Sequence, residues 1–192
     1  MFRSAVLGGL GFSFCLVIST AYCSAQETTF KFENKAANLQ AYFQQMYDLV
    51  HTKKDAAAAN KMLKALLPDE ARTKLALKDD APATLAKTIA AEYAKIPAGE
   101  FDASKMLTAE KSKVSVYAAT TEELIKYANG SVAHVEFPSK AQESAMTILR
   151  PGMTFYEVEM TEPTKDFGLK LHLLYWDGKQ WAMLGQPWRI AK

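Results

Sequence analysis

The stretch LKLHLLYWDGKQWAMLGQPWRI, Leu169 to Ile190, is two apolar runs joined by Asp177-Gly178. Asp-Gly between apolar runs is among the strongest short-range hairpin signals, because a type I′ turn needs φ above zero at both central residues. A two-residue turn here sets Leu174 opposite Trp181 and His172 opposite Met183. Alternation then puts Leu169, Leu171, Leu173 and Tyr175 on one face and Lys170, His172, Leu174 and Trp176 on the other. The ribbon is apolar on both sides, so each side needs a cover. A helix layer serves one side, and a partner, ligand or second subunit the other.

Working backwards, Met153 to Thr161 reads as a strand in which Tyr156, Val158 and Met160 oppose Phe155, Glu157 and Glu159. Ser131 to Phe137 alternates in the same way, with Ala133, Val135 and Phe137 opposite Val132, His134 and Glu136, and Pro138 closes it. Lys113 to Ala118 is a further strand. Between these two, Thr120-Thr121-Glu122-Glu123 is a capping box that starts a short helix ending at Asn129-Gly130. A turn of helix fits Lys140 to Ala145. The count is about five strands, mostly antiparallel, with one apolar face and one polar-aromatic face carrying His134, Glu157, His172, Trp176 and Trp181.

Before Pro97 the period is 3.6. Leu39, Tyr42, Phe43, Met46 and Val50 mark a helix from Asn34 to His51, and Asp55 caps a second through Leu67. Pro68 opens a short third helix with Asp69 and Glu70 near its positive end, and Pro82 a fourth with Leu85, Ile89 and Tyr93 on its stripe. Helices first and strands afterwards indicate an α+β domain, with these four helices forming one layer over the apolar face.

Arg3, the apolar run Ala5 to Ile18 and the small residues Ser19 to Ala25 have the layout of a secretory signal peptide. Removing residues 1–25 of the 192 leaves a 167-residue chain, one ordinary domain, spanning 26–192. The alternatives are acylation at Cys23, which Tyr22 disfavours, and retention as an anchor. Both cysteines, Cys15 and Cys23, fall in this segment, so the exported chain has no disulfide. Net charge drops from +2 to +1, which gives no reason to expect nucleic acid as partner, and no membrane span follows the signal.

The helices before Pro97, the helix between the first two strands and the closing Trp176-Asp177-Gly178-Lys179-Gln180-Trp181 hairpin carry one resemblance, and Leu67-Pro68-Asp69-Glu70-Ala71-Arg72, Ala119-Thr120-Thr121-Glu122-Glu123-Leu124 and Trp181-Ala182-Met183-Leu184-Gly185 carry a narrower one. The chain resembles a nuclear-transport-factor-2-like (cystatin-like) domain and, more narrowly, uncharacterised exported proteins of bacteria such as planctomycetes. The resemblance implies a cone in which N-terminal helices cover the concave face of a curved sheet, and a pocket or a dimer. It names no activity.

No phosphate loop, nucleophile triad or CxxC pattern occurs, and no cofactor is implied. His134 and His172 with Glu157 or Glu159 can be drawn as a two-histidine carboxylate metal set, but without a closely spaced ligand motif, cross-strand pairing to carboxylates is more economical and no metal is assigned. His51 is explained by the negative end of the first helix, and Asn129-Gly130-Ser131 by a helix stop. The chain therefore reads as an exported non-catalytic binding or assembly module, whose His134, Glu157, His172, Trp176 and Trp181 face meets a partner or a second copy. The alternative is a small-molecule enzyme or carrier with a titratable group in a pocket between helices and sheet.

Overall fold

A computed structural model describes residues 34–97 and 99–190. The expected signal segment, with its cleavage site and both cysteines, lies outside the described residues, within which no disulfide can form. Among the described residues no helix is long and apolar enough to cross a membrane.

Helix α1, Ala36–His51, buries Leu39, Phe43, Met46 and Leu49, a stripe at three- and four-residue steps. Asp55 caps α2, Ala56–Ala65, accepting the Ala58 N–H at 2.9 Å, and α2 adds Ala59 and Leu63. Asp69 likewise caps α3, Glu70–Ala76, accepting from the Arg72 N–H at 2.8 Å. Helix α4, Leu85–Ala94, buries Leu85, Ala86 and Ile89, and α5, Ala103–Met106, is a single capped turn.

The sheet has four strands in the order β1, Lys113–Thr120; β2, Thr154–Thr161; β3, Leu169–Trp176; β4, Trp181–Met183, each antiparallel to its neighbour. The described sheet is thus one strand short of the expected five. Ser131 to Phe137 is not a strand: Val132–Glu136 is a turn of helix, α7, capped by the Ser131 hydroxyl, which accepts the His134 N–H at 3.2 Å. Ala133 and Phe137, its buried residues, are four apart and so share a face in a helix as well as in a strand. The capping box behaves as read. Thr120 and Glu123 exchange bonds at the start of α6, Thr121–Lys126, although that helix ends at Tyr127 rather than at Asn129-Gly130. Helix α8, Ser139–Thr147, completes the crossover to β2.

Two corrections concern the closing hairpin. Its loop has four residues, not two. Asp177 accepts the Lys179 and Gln180 N–H groups at 2.8 Å and donates its own N–H to the Gln180 carbonyl, so Trp176 faces Trp181 and Leu174 faces Met183. The second correction is a β-bulge. Tyr156 pairs with Leu174 but Val158 with Leu171, so His172 and Leu173 together oppose Glu157 alone, and Leu173 takes a left-handed φ of 50°. The extra residue reverses the alternation. Leu169, Leu171, Leu174 and Trp176 pack on one face, while Leu173 and Tyr175 pack on the face of Lys170 and His172.

Both faces are covered by this chain. One core joins α1, α2 and α5 to Val114, Tyr156, Val158, Met160, Leu174 and Trp181. The other joins α3, α4, α6, α7 and α8 to Phe155, Leu173, Tyr175 and Ala182. The first four helices therefore divide between the two faces instead of forming one layer. Each fully buried large side chain in these cores contributes roughly 1.5–3 kcal/mol.

Strand β1 is one of the two outer strands, β4 being the other. Gln40 donates its side-chain amide to the Val114 carbonyl at 2.8 Å, and Glu123 accepts the Thr120 N–H at 2.7 Å. Both bonds point away from β2, so by antiparallel alternation the N–H and C=O groups of Val116 and Ala118 between them point outward too.

Candidate functional site

The bulge gathers the titratable groups. Glu157, on the central strand β2, is fully buried, and its carboxylate meets His172 Nδ1 at 2.6 Å and accepts the Leu173 N–H at 3.3 Å. Burial pushes the Glu157 carboxyl above the usual carboxylate range, against the opposing pull of the His172 hydrogen bond and charge, the Leu173 N–H and the Lys170 ammonium. Beside this pair, Lys170 Nζ lies 3.1 Å from Glu136 Oε2 on α7 and 3.7 Å from Glu159 Oε2, and 5.4 Å above the Tyr117 ring. The Trp188 ring meets His172 edge to face at 6.0 Å. The result is a row, Tyr117, Lys170, Glu159, Glu157, His172 and Trp188, running across the sheet under α7 and the 3-10 turn Pro187–Arg189.

Of the five residues expected to share a face, Glu157 and His172 are joined. The other three lie elsewhere. His134 is exposed on α7, its ring against Tyr127 at 5.2 Å. Trp176 and Trp181 pack edge to face at 5.1 Å in the opposite core, carried there by the bulge. Trp181 is only 2% exposed, stands edge-on to Tyr156, and its buried indole N–H has no acceptor among the described residues. The described residues contain no group of three or more His, Cys, Asp or Glu side chains able to hold a metal ion. His51 holds the Leu107 carbonyl at 2.5 Å and stacks near Tyr47, a local role at the end of α1.

Sequence reasoning put Lys170 on the face of His172 without counting it as a site residue, and missed Tyr117 altogether. The signal that could have found them is local: Lys170 is two residues from His172 on the same strand face, and Tyr117 is the one aromatic residue in β1. It also missed Arg72, which holds the hairpin loop. Its guanidinium reaches Asp177 Oδ2 at 2.5 Å, the Trp181 carbonyl at 2.7 Å and the Ala65 carbonyl at 3.0 Å. Burial raises Asp177, but the N–H groups of Gln180 and Lys179 and the Arg72 guanidinium outweigh it and hold this carboxyl low.

Chemically, the row is consumed internally. Each ionic side chain in it has a partner in the same chain, and the Glu157 carboxylate has its two oxygens engaged by His172 and Leu173. Fold and site together define an α+β domain with an open antiparallel sheet sandwiched between its own helices. Comparison with known protein families, with curated proteins and with solved structures found no match.

Proposed function

We propose that this chain is an exported, non-catalytic assembly module that pairs with a second copy of itself by extending the sheet at β1. The observation that carries the reading is the open middle of the β1 edge. Gln40 and Glu123 cap its two ends, leaving the outward N–H and C=O groups of Val116 and Ala118 between them. An unpaired edge is a template for another strand. It is also self-complementary. A two-fold axis at Tyr117 sets Val116 opposite Ala118 of the second copy and the reverse, so outward groups meet outward groups in hydrogen-bonded pairs. The one charged residue of β1, Lys113, lies beyond the stretch that Gln40 and Glu123 leave open, so no like charges are opposed within it. The two Tyr117 rings become a cross-strand pair, joining the two polar rows into one.

Non-catalytic use is supported by the internal pairing of Glu157, His172 and Lys170. Export is supported by Arg3 and the apolar run after it. The nuclear-transport-factor-2-like reading belongs to this proposal as well. Helices packed against an antiparallel sheet and a helical crossover, α6 to α8, between its first two strands favour it.

Sedimentation of the chain from Gln26 onward tests the assembly. A concentration-dependent dimer is expected, and Val116→Pro, which removes an outward N–H without touching the β1–β2 ladder, gives a folded monomer. A wild-type chain that stays monomeric up to its solubility limit, or a Val116→Pro chain that still dimerises, overturns the proposal.

A further inference from the structure

A second surface, formed by residues other than those of the β1 edge, is concave. Helix α4 and the C-terminal turn form the two walls of a cleft of about 680 Å3, a volume in the usual range for small-molecule sites. Tyr93 lies at its base, with its hydroxyl so close over Gly185 that a Cβ there would collide with it. Among the described residues that hydroxyl has no hydrogen-bond partner in the protein, and burial raises its pKa, so it stays a phenol able to donate.

Arg189 and Gln186 line the opposite wall. The other two described arginines each hold an aspartate, Arg72 with Asp177 and Arg150 with Asp79. Arg189 is exposed and pairs with no acid among the described residues. The acid across the cleft, Glu92, is already held by Lys95 at 2.5 Å. This end of the cleft is therefore a set of donors with an uncompensated positive charge.

A second cleft, of about 550 Å3, shares Thr88 and Ile190 with the first and is lined beyond them by Pro82, Thr84, Leu85, Thr147 and Ile148. Four of its seven lining residues are apolar and the other three are threonines, which present a methyl beside a hydroxyl. The two clefts meet at Ile190, so a donor-rich cationic end runs into an apolar trough.

We propose that this groove binds a monomeric amphiphile with an anionic head, a free medium-chain alkanoate, with the carboxylate between Arg189, Tyr93 and Gln186 and the aliphatic tail over Ile190 toward Leu85 and Ile148. Charge selects the head, since Arg189 offers its planar fork to a carboxylate, and desolvation of the tail supplies the affinity. The inference is independent of pairing at β1.

Dodecanoate below its micellar concentration is titrated into the chain from Gln26 onward, followed by intrinsic tryptophan fluorescence and by calorimetry. Saturable one-site binding is expected, at least tenfold tighter than for dodecanol, which lacks the charge, or for butyrate, which lacks the tail. Arg189→Glu, a change at an exposed side chain, is expected to weaken dodecanoate at least tenfold with its melting temperature unchanged. Tyr93→Phe is expected to weaken the alkanoate but not the alcohol. Absence of saturable binding, or equal binding of dodecanoate and dodecanol by the wild-type and Arg189→Glu chains, overturns the proposal.

Discussion

At the residue scale, the side chain with the most to lose is Arg72. Its guanidinium joins the end of α2, the start of α3 and the hairpin loop, and it is the charged partner of an Asp177 side chain only 5% exposed. Truncation leaves that carboxylate buried without its cation, so Arg72→Ala is expected to cost about 3–5 kcal/mol in urea denaturation. Arg72→Lys recovers only part of this, because an ammonium cannot reach three directions as a planar fork does. Glu157 makes an opposite kind of prediction. Its folded-state pKa is raised by burial, so its contribution to stability is full below the unfolded carboxyl value of about 4.3 and is lost as pH rises through the folded value. Glu157→Gln keeps an acceptor for the Leu173 N–H, turns an amide N–H donor toward His172 Nδ1 and removes the titration. Urea midpoints measured across that range are expected to shift in the variant's favour as pH rises, and then to run parallel. A constant difference at every pH sinks the argument.

At the scale of elements, the bulge in β3 controls what each strand presents. Leu173 sits at φ 50°, where an L side chain ordinarily costs about 1–2 kcal/mol. Glycine in a strand is normally worse than alanine by about 0.5–1 kcal/mol. At this position the order is expected to reverse or vanish: Leu173→Gly should melt no lower than Leu173→Ala, both below wild type for lost packing. The bulge also shows where the sequence stopped being legible. The helices α1 to α4, the cap Asp55, the Thr120–Glu123 box and strands β1 and β2 were readable because local spacing and short-range hydrogen bonds decide them, whereas Asp69, expected inside a helix opened by Pro68, is itself the cap of α3. The Glu157–His172 contact was half legible, since both residues were placed on one face, but their pairing needs Leu171 and Leu174 to straddle an extra residue. Leu173 and Leu174 are both apolar and fit either face, so nothing local marks the reversal. In the same way Ala133 and Phe137 satisfy two periods at once, and the Ser131 cap decided for helix.

For the whole molecule, the decisive fact is that two hydrophobic cores share one sheet. Phe43 belongs to the core under α1 and Phe155 to the core under α6 to α8, and β2 supplies residues to both. Neither core can open without exposing one face of the other's strands. Phe43→Ala and Phe155→Ala are each expected to cost about 3–5 kcal/mol while leaving a single transition, with far-ultraviolet and near-ultraviolet dichroism melting together. Two separated transitions in either variant would show the cores to be independent. The extra residue in β3 also has a meaning for ancestry. A lineage cannot gain or lose it alone, because every position from Leu174 to Met183 would exchange inside for inside across the sheet, setting Trp181 among the small side chains of the wrong core. Homologous sequences should therefore carry a length change between Leu171 and Leu174 only together with an inverted polarity pattern downstream, a paired signature countable in aligned genomes.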